Sequence, residues 1–366
     1  MPDHQPVHSI SVITPTYNKA ALLELTLASY LHQTYKSFEL VVVDDGSTDN
    51  TRQVVERYQS RLNIKYVFQP NRGRSVARNR AILEATGDIL VFSDDDRLAA
   101  PGFLAAHARA FSSPQDNLFV LGGQAGFLSQ WDKRQELLAR VAPLFKRSPE
   151  LEPLLTQNQK LQLVSAEDIE ERYPRTLEKF SLEEPWWELC KGLIAEFSGD
   201  INRFRLGWII GNTGNMAVSR QRTIDIGMFD ESFSKWGIED TELCFRMCQE
   251  GARIVVSEEA LSYHQVHPRS SEWNEEWHRN FARFWAKFDS VQIPLFYLFV
   301  TQQVTAREIN AIVDECDALE REGRMTLVNE LKRLYRLAVH TTQSGNGARL
   351  PDFQDEEPKR GAKTAG

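Results

Sequence analysis

Blocks of apolar residues alternate with polar stretches along the first 125 positions. Residues 9–14 and 38–43 are short β-branched runs, and between them Leu23, Leu27 and Leu31 stand four apart. That is the pattern of a strand, a helix and a strand. Ser47 and Asp49 offer capping side chains for a second helix through Val54, Val55 and Tyr58, and residues 64–68 form a third β-rich run. A helix is predicted over residues 75–86 with Gly87 as its stop, then a buried strand at 89–92 and a helix from Pro101 through Phe111. Such alternation predicts an α/β fold, a mainly parallel sheet with helices on both faces. Ligands of such sheets sit beyond the carboxyl ends of the strands. Chemistry is therefore expected at residues 14–18, 44–47 and 93–97.

The pattern changes at about residue 126. Residues 126–205 read as a charged, mainly helical insertion carrying Trp186 and Trp187, for which packing is favoured over stacking on a ligand ring. Compact α/β character returns over residues 206–270. Trp273, Trp277, Phe281, Phe284, Trp285 and Phe288 then recur at helical spacing, a stripe read as core rather than as a membrane-facing surface. Residues 307–340 predict one or two amphipathic helices within a C-terminal helical segment, 271–340. Residues 341–366, rich in Gly, Pro and charge, are expected to be disordered.

Composition narrows the class. Of 366 residues 42% are hydrophobic and 26% charged, enough apolar material for a core. The net charge of -8 argues against nucleic-acid binding by broad phosphate neutralisation. Four scattered cysteines, Cys190, Cys244, Cys248 and Cys316, make neither a disulfide scaffold nor a zinc ribbon, which suits a cytoplasmic protein. The first eight residues lack signal-peptide character, and the longest apolar run, 291–300, is half of what spans a bilayer. The expectation is no transmembrane segment, with peripheral membrane contact left open.

Asp94, Asp95 and Asp96 directly follow a buried strand, where three carboxylates repel one another unless a cation joins them. Magnesium or manganese suits such hard oxygen ligands; a solvated acidic turn is the alternative. Glu239 and Asp240 precede a helical pattern, and their plain reading is a helix N-terminal charge. His264 and His267, three apart before Pro268, suit a metal or ordinary hydrogen bonds. The stretch from Asn71 to Asn79 opens a helix with Arg72, Arg74 and Arg78, a setting for a diphosphate or an exposed basic helix start.

Taken together, these segments resemble a known family. Thr14-Pro15-Thr16-Tyr17-Asn18, Val43 to Asp49, Asn71 to Asn79 and Phe92 to Asp96 are similar to the successive motifs of family 2 glycosyltransferases with the GT-A fold. Gly211 to Ala217 and Trp236-Gly237-Ile238-Glu239-Asp240 resemble acceptor-side motifs of β1,4-galactosyltransferases and chondroitin-polymerase-like enzymes, with Ile238 in place of a second glycine. The insertion has no recognised counterpart. The resemblance implies a nucleotide-sugar-binding half at 1–125 and an acceptor and catalytic half at 206–270. It implies a UDP-sugar donor, with Pro15 and Tyr17 lining the base pocket and Asp45 accepting the uracil imide hydrogen. Asp94 and Asp95, with Arg74 and Arg78, would serve the donor. Asp96, His264 and His267 would hold Mn2+ or Mg2+, Asp240 would be the base, and Glu239 would bind the acceptor. One base implies a single displacement with inversion. The acceptor is left as a polysaccharide, a lipid-linked sugar or a peptide. Rival readings are a nucleotidyltransferase and a non-catalytic nucleotide-sugar-binding protein.

Overall fold

The computed structural model describes residues 8–132, 135–268 and 271–346. The predicted early strands form as β1 (Ile10–Thr16), β2 (Phe38–Asp44), β3 (Ile64–Phe68) and β4 (Ile89–Phe92). β4 is buried throughout, and so is most of β1, which is why these segments read as continuous apolar runs instead of alternating ones. Between them run α1 (Ala20–Tyr30), α2 (Thr51–Tyr58) and α3 (Arg74–Glu84). Gly73 enters α3 at φ +93°, and a Cβ there would lie 2.6 Å from the Ser234 carbonyl oxygen, so glycine is required on both counts.

The chain continues through β5 (Arg97–Ala99), α4 (Phe103–Arg109), β6 (Leu118–Phe127), β7 (Gln130–Trp131), α5 (Gln135–Arg147), β8 (Leu161–Gln162), α6 (Ala166–Phe180), β9 (Ser181–Leu182) and α7 (Pro185–Glu196). It then forms β10 (Met216–Ser219), α8 (Arg220–Asp225), α9 (Glu239–Gln249) and β11 (Arg253–Gln265). The main sheet has the order β3-β2-β1-β4-β10-β6-β11-β5, with β9 added on β6. Pairs among β1 to β4, and β6 with β11, are parallel; β10 runs antiparallel to both neighbours, and β5 antiparallel to β11. The α/β GT-A expectation holds as a mixed, mostly parallel sheet. The reversed direction of β10 brings its leading loop, residues 211–215, to the edge where β1, β2, β4 and β11 end.

The insertion is helical, as expected, but it also pairs with the sheet. Phe127 opposes Ser181 and Gly126 opposes Leu182 where β9 meets β6. Ile169, Tyr173 and Leu177 of α6 enter the same core as Leu23, Leu27 and Leu98, and the Tyr173 hydroxyl donates to the Ala99 carbonyl at 2.8 Å.

The chain divides into two compact units after Trp277. α10 (Trp273–Lys287) begins before that boundary, and α11 (Gln292–Val300), α12 (Ala306–Arg321) and α13 (Met325–Asn346) follow it. Within the second unit Phe281 packs its ring at a tilt against Phe296 and Tyr297, with centroids 6.1 and 5.0 Å away, and Phe284 and Trp285 are buried. The core reading of the aromatic stripe therefore holds for Phe281, Phe284 and Trp285, whereas Trp277 and Phe288 are half-buried and Trp273 is exposed. Thr305 and Glu308 close a reciprocal capping box on α12. Among the described residues no helix is long and apolar enough to cross a membrane. The disordered tail was expected from residue 341; α13 extends to Asn346, and residues 347–366 lie outside the described residues.

Candidate active site

Asp94 to Asp96 leave the end of β4, while His264 ends β11 and His267 follows two residues beyond it. Strand pairing brings them together, because β11 lies antiparallel to β5, with His264 opposite Arg97, the residue after the aspartates. His267 Nε2 lies 3.0 Å from Asp96 Oδ2, and His264 Nε2 lies 4.0 Å from Asp96 Oδ1. One ligand atom from each of the three residues falls within 4.8 Å of the others. Each imidazole turns its Nδ1 away from the cluster, His267 toward the Pro268 carbonyl at 3.0 Å and His264 toward Glu184 Oε2 at 3.3 Å. With Nδ1 carrying the proton, both Nε2 atoms present lone pairs inward.

Two lone-pair atoms 3.0 Å apart, His267 Nε2 and Asp96 Oδ2, need a shared positive centre. Lys19, three residues beyond β1, supplies one. Its ammonium lies 2.6 Å from Asp96 Oδ2, 3.2 Å from Asp95 Oδ1 and 3.4 Å from His267 Nε2. Burial works against the charge on Lys19, but Asp95 and Asp96 outweigh it and hold the pKa above the usual lysine range. Lys19 above all holds the Asp96 carboxyl well below the usual carboxylate range despite burial, whereas burial and the charge on Asp96 push Asp95 upward. Burial and the nearby Arg97 lower the His264 pKa, which keeps it neutral, the form that binds metals. The donor set thus fits a divalent ion, with a lysine ammonium as its cationic stand-in. Two imidazoles beside one carboxylate favour manganese over magnesium.

A second charged line runs across the same edge. Arg78 is almost fully buried and donates to Asp94 Oδ1 at 3.0 Å and to Glu239 Oε1 at 3.2 Å; half-exposed Arg74 reaches Glu239 Oε1 at 3.5 Å. Arg78 therefore ties the aspartate cluster to the start of α9, a link that sequence reading missed. Glu239 Oε2 is buried and has no partner. Asp240, next along α9, is raised to about 6 by burial first and by the charge on Glu239 next, with Arg78 opposing. The turn into α9 is strained. Gly237 has φ +92° and Ile238 φ +75°, a conformation costly for a β-branched residue, and the 2% exposure of Ile238 is what offsets it.

On the other flank, Pro15 is half-buried at the end of β1 and Tyr17 is exposed. The Asn18 side chain accepts from the Thr48 amide at 2.8 Å, and the Ser47 hydroxyl accepts from the Asn18 amide at 2.9 Å, which joins the loops after β1 and β2. Asp45 is buried and accepts from Gln69 Nε2 and from the amides of Arg72 and Gly73, at 2.7 to 2.9 Å. It thereby anchors the Asn71 to Asn79 segment, and Oδ2, with one donor, keeps capacity for another. Asn215, in the segment read as an acceptor motif, is fully buried. It donates to the carbonyls of Gly123 and Ala260, both at 2.8 Å, and its Oδ1 meets His107 Nε2 at 2.8 Å. It is a sheet-bracing residue, placed by the loop that leads into β10.

Lys19 was missed although it stands beside the Tyr17-Asn18 motif. Glu184 lies 80 residues from His264, and no local pattern marks it.

Comparison with known proteins identifies the relatives of the chain. Residues 11–167 match glycosyl transferase family 2, and residues 202–267 match the N-terminal domain of galactosyltransferase. The chain is 27% identical over 360 residues to an uncharacterized glycosyltransferase, YfnE, of Bacillus subtilis, covering 97% of this chain and 88% of that one. It is 34% identical to validoxylamine A glucosyltransferase of Streptomyces hygroscopicus subsp. jinggangensis over 79% of this chain and 63% of the relative. Chondroitin synthase of Pasteurella multocida is 30% identical over 71% of this chain, which spans only 25% of that protein. Among solved structures, the mannosyltransferase PcManGT from Pyrobaculum calidifontis in complex with GDP-Man and Mn2+ has a TM-score of 0.47 at 18% identity, covering 93% of this chain and 76% of that one.

Proposed function

Since the chain is a glycosyltransferase of family 2, we propose that it transfers a hexose or N-acetylhexosamine from a UDP-sugar to an acceptor hydroxyl, with a divalent ion, Mn2+ or Mg2+, and with inversion. The observation that carries this reading is the meeting of Asp96, His264 and His267 within 4.8 Å on the edge that also holds the Arg78-linked pair Asp94 and Glu239. Residues 1–125 serve as the nucleotide-sugar half and 206–270 as the acceptor half.

Asp96, His264 and His267 would hold the ion, which when bound supplies positive charge to the departing diphosphate. Lys19, now on Asp96, then becomes available to the same phosphates. Pro15 and Tyr17 flank the base, and the remaining acceptor capacity of Asp45 takes the imide hydrogen. Glu239, its Oε1 fixed by Arg74 and Arg78, offers the unpartnered Oε2 to an acceptor hydroxyl. Asp240 removes the proton from the reacting hydroxyl as its oxygen bonds to the anomeric carbon. The bond from that carbon to the diphosphate breaks, and UDP leaves with the electron pair. With a pKa of about 6, Asp240 is ionised near neutrality and still basic enough to accept a proton.

The test is turnover of a donor panel. With manganese, at least one UDP-sugar is expected to release UDP, slowly to water and faster to a sugar acceptor. Pyrophosphate release from nucleoside triphosphates and sugar phosphates would instead favour nucleotidyl transfer. Absence of any turnover together with tight UDP-sugar binding would favour a non-catalytic binder.

A further inference from the structure

The helical insertion meets the candidate metal site at one carboxylate. Glu184 lies two residues beyond β9, whose pairing with β6 fixes its place, and it stands at the N-cap position of α7 with its side chain turned to other partners. Its Oε2 lies 3.3 Å from His264 Nδ1 and 3.0 Å from Nη2 of Arg140 on α5, so two parts of the insertion converge on the back of one imidazole. Only 8% of Glu184 is exposed. Gly126 opposite His264 is what permits this approach, since a Cβ there would lie 3.0 Å from Leu182 Cβ, 3.3 Å from the Glu183 carbonyl and 3.4 Å from Arg140 Nη2.

The geometry points to Glu184 as a positioning residue that aims His264 Nε2 at a divalent cation held with Asp96 and His267, so that the insertion sets metal affinity. This rests on the metal-dependent reading above. A carboxylate that accepts the outer N–H of a metal-ligating imidazole fixes its tautomer and ring plane and raises its basicity, and losing such a partner typically costs about 10- to 100-fold in metal affinity. His267 differs, because its outer partner is the backbone carbonyl of Pro268, which no side-chain substitution removes. The two histidines therefore hold unequal kinds of support, and only the support of His264 depends on a side chain of the insertion. Arg140 holds Glu184 in place beside His264 by donating to the same Oε2 at 3.0 Å.

The experiment titrates Mn2+ alone into the purified full-length protein and follows free hexaaquo manganese by electron paramagnetic resonance. Wild type, Glu184→Gln, Glu184→Asp and His264→Ala are compared. Glu184→Gln is expected to raise the dissociation constant about 10- to 100-fold, with added manganese restoring most of the lost UDP-sugar turnover, and Glu184→Asp is expected to weaken binding less. A dissociation constant for Glu184→Gln within about threefold of wild type, with His264→Ala clearly weakened, would overturn the role of Glu184. If Glu184→Gln does not fold, Glu184→Asp carries the test, and unchanged manganese affinity in it counts against the proposal. Should His264→Ala bind manganese as wild type does, it is the metal-site reading itself that fails, a result distinct from failure of Glu184 alone.

Discussion

Asp240 and Glu239 are neighbours in sequence with different surroundings. Glu239 is clamped by Arg78 and Arg74, whereas Asp240 accepts from the Thr241 amide and is pushed up to about 6. A base must be ionised to act, and a raised pKa moves the loss of its ionised form to higher pH. The rate of the chemical step is therefore expected to be level above about pH 7 and to fall roughly tenfold per unit below about pH 6. Single-turnover rates against pH check this, and a rate unchanged down to pH 5 would remove Asp240 from the role. Asp240→Asn is expected to lower the step by about two to four orders of magnitude and to abolish that limb, while Glu239→Gln raises the KM for acceptor. The candidate acids and histidines were legible in the sequence because each sits in a short motif, Asp94 to Asp96 and the histidines at strand ends and Glu239-Asp240 at a helix start. Lys19, Arg78 as a bridge, and Glu184 were not, because their partners are 77, 161 and 80 residues away and only folding sets those distances.

The elements carry the precision of these contacts. The run from Gly211 to Ala217 resembles acceptor-side motifs, and the structure assigns its Asn215 a bracing role between β6, β11 and α4. Gly122 must be glycine there, since a Cβ would lie 2.2 Å from Asn215 Oδ1. Asn215→Ala leaves two buried carbonyls and the His107 imidazole without their partner, and a loss of about 2–4 kcal/mol is expected, readable in urea unfolding. A midpoint unchanged from wild type would contradict the bracing role. Periodicity captured the existence of the early strands and helices because β1, β2 and β4 are mostly buried on both faces and helical spacing is regular. It did not reveal that β10 runs backward or that β9 adds to β6. Strand direction depends on which loops bridge the sheet, and β9, at two residues, is too short to carry a pattern.

At the scale of the whole molecule, Asp96 comes from the stretch matching family 2, while His264, His267 and Asp240 come from the stretch matching galactosyltransferase. Neither stretch alone holds all three of the proposed ligands. The pairing of β11 with β5 and β6 unites them, and Glu184 of the insertion closes the back of the site. If the ion is shared by these residues and the diphosphate of the donor, metal and nucleotide must strengthen each other's binding by the same factor. Calorimetric titration of UDP into the full-length chain, with manganese and again with excess chelator, measures that factor. The account predicts UDP binding at least tenfold tighter with manganese, clearly tighter than GDP, and loss of the manganese effect in Asp96→Ala. Equal UDP affinity in manganese and in chelator, or equal binding of UDP and GDP, would contradict it.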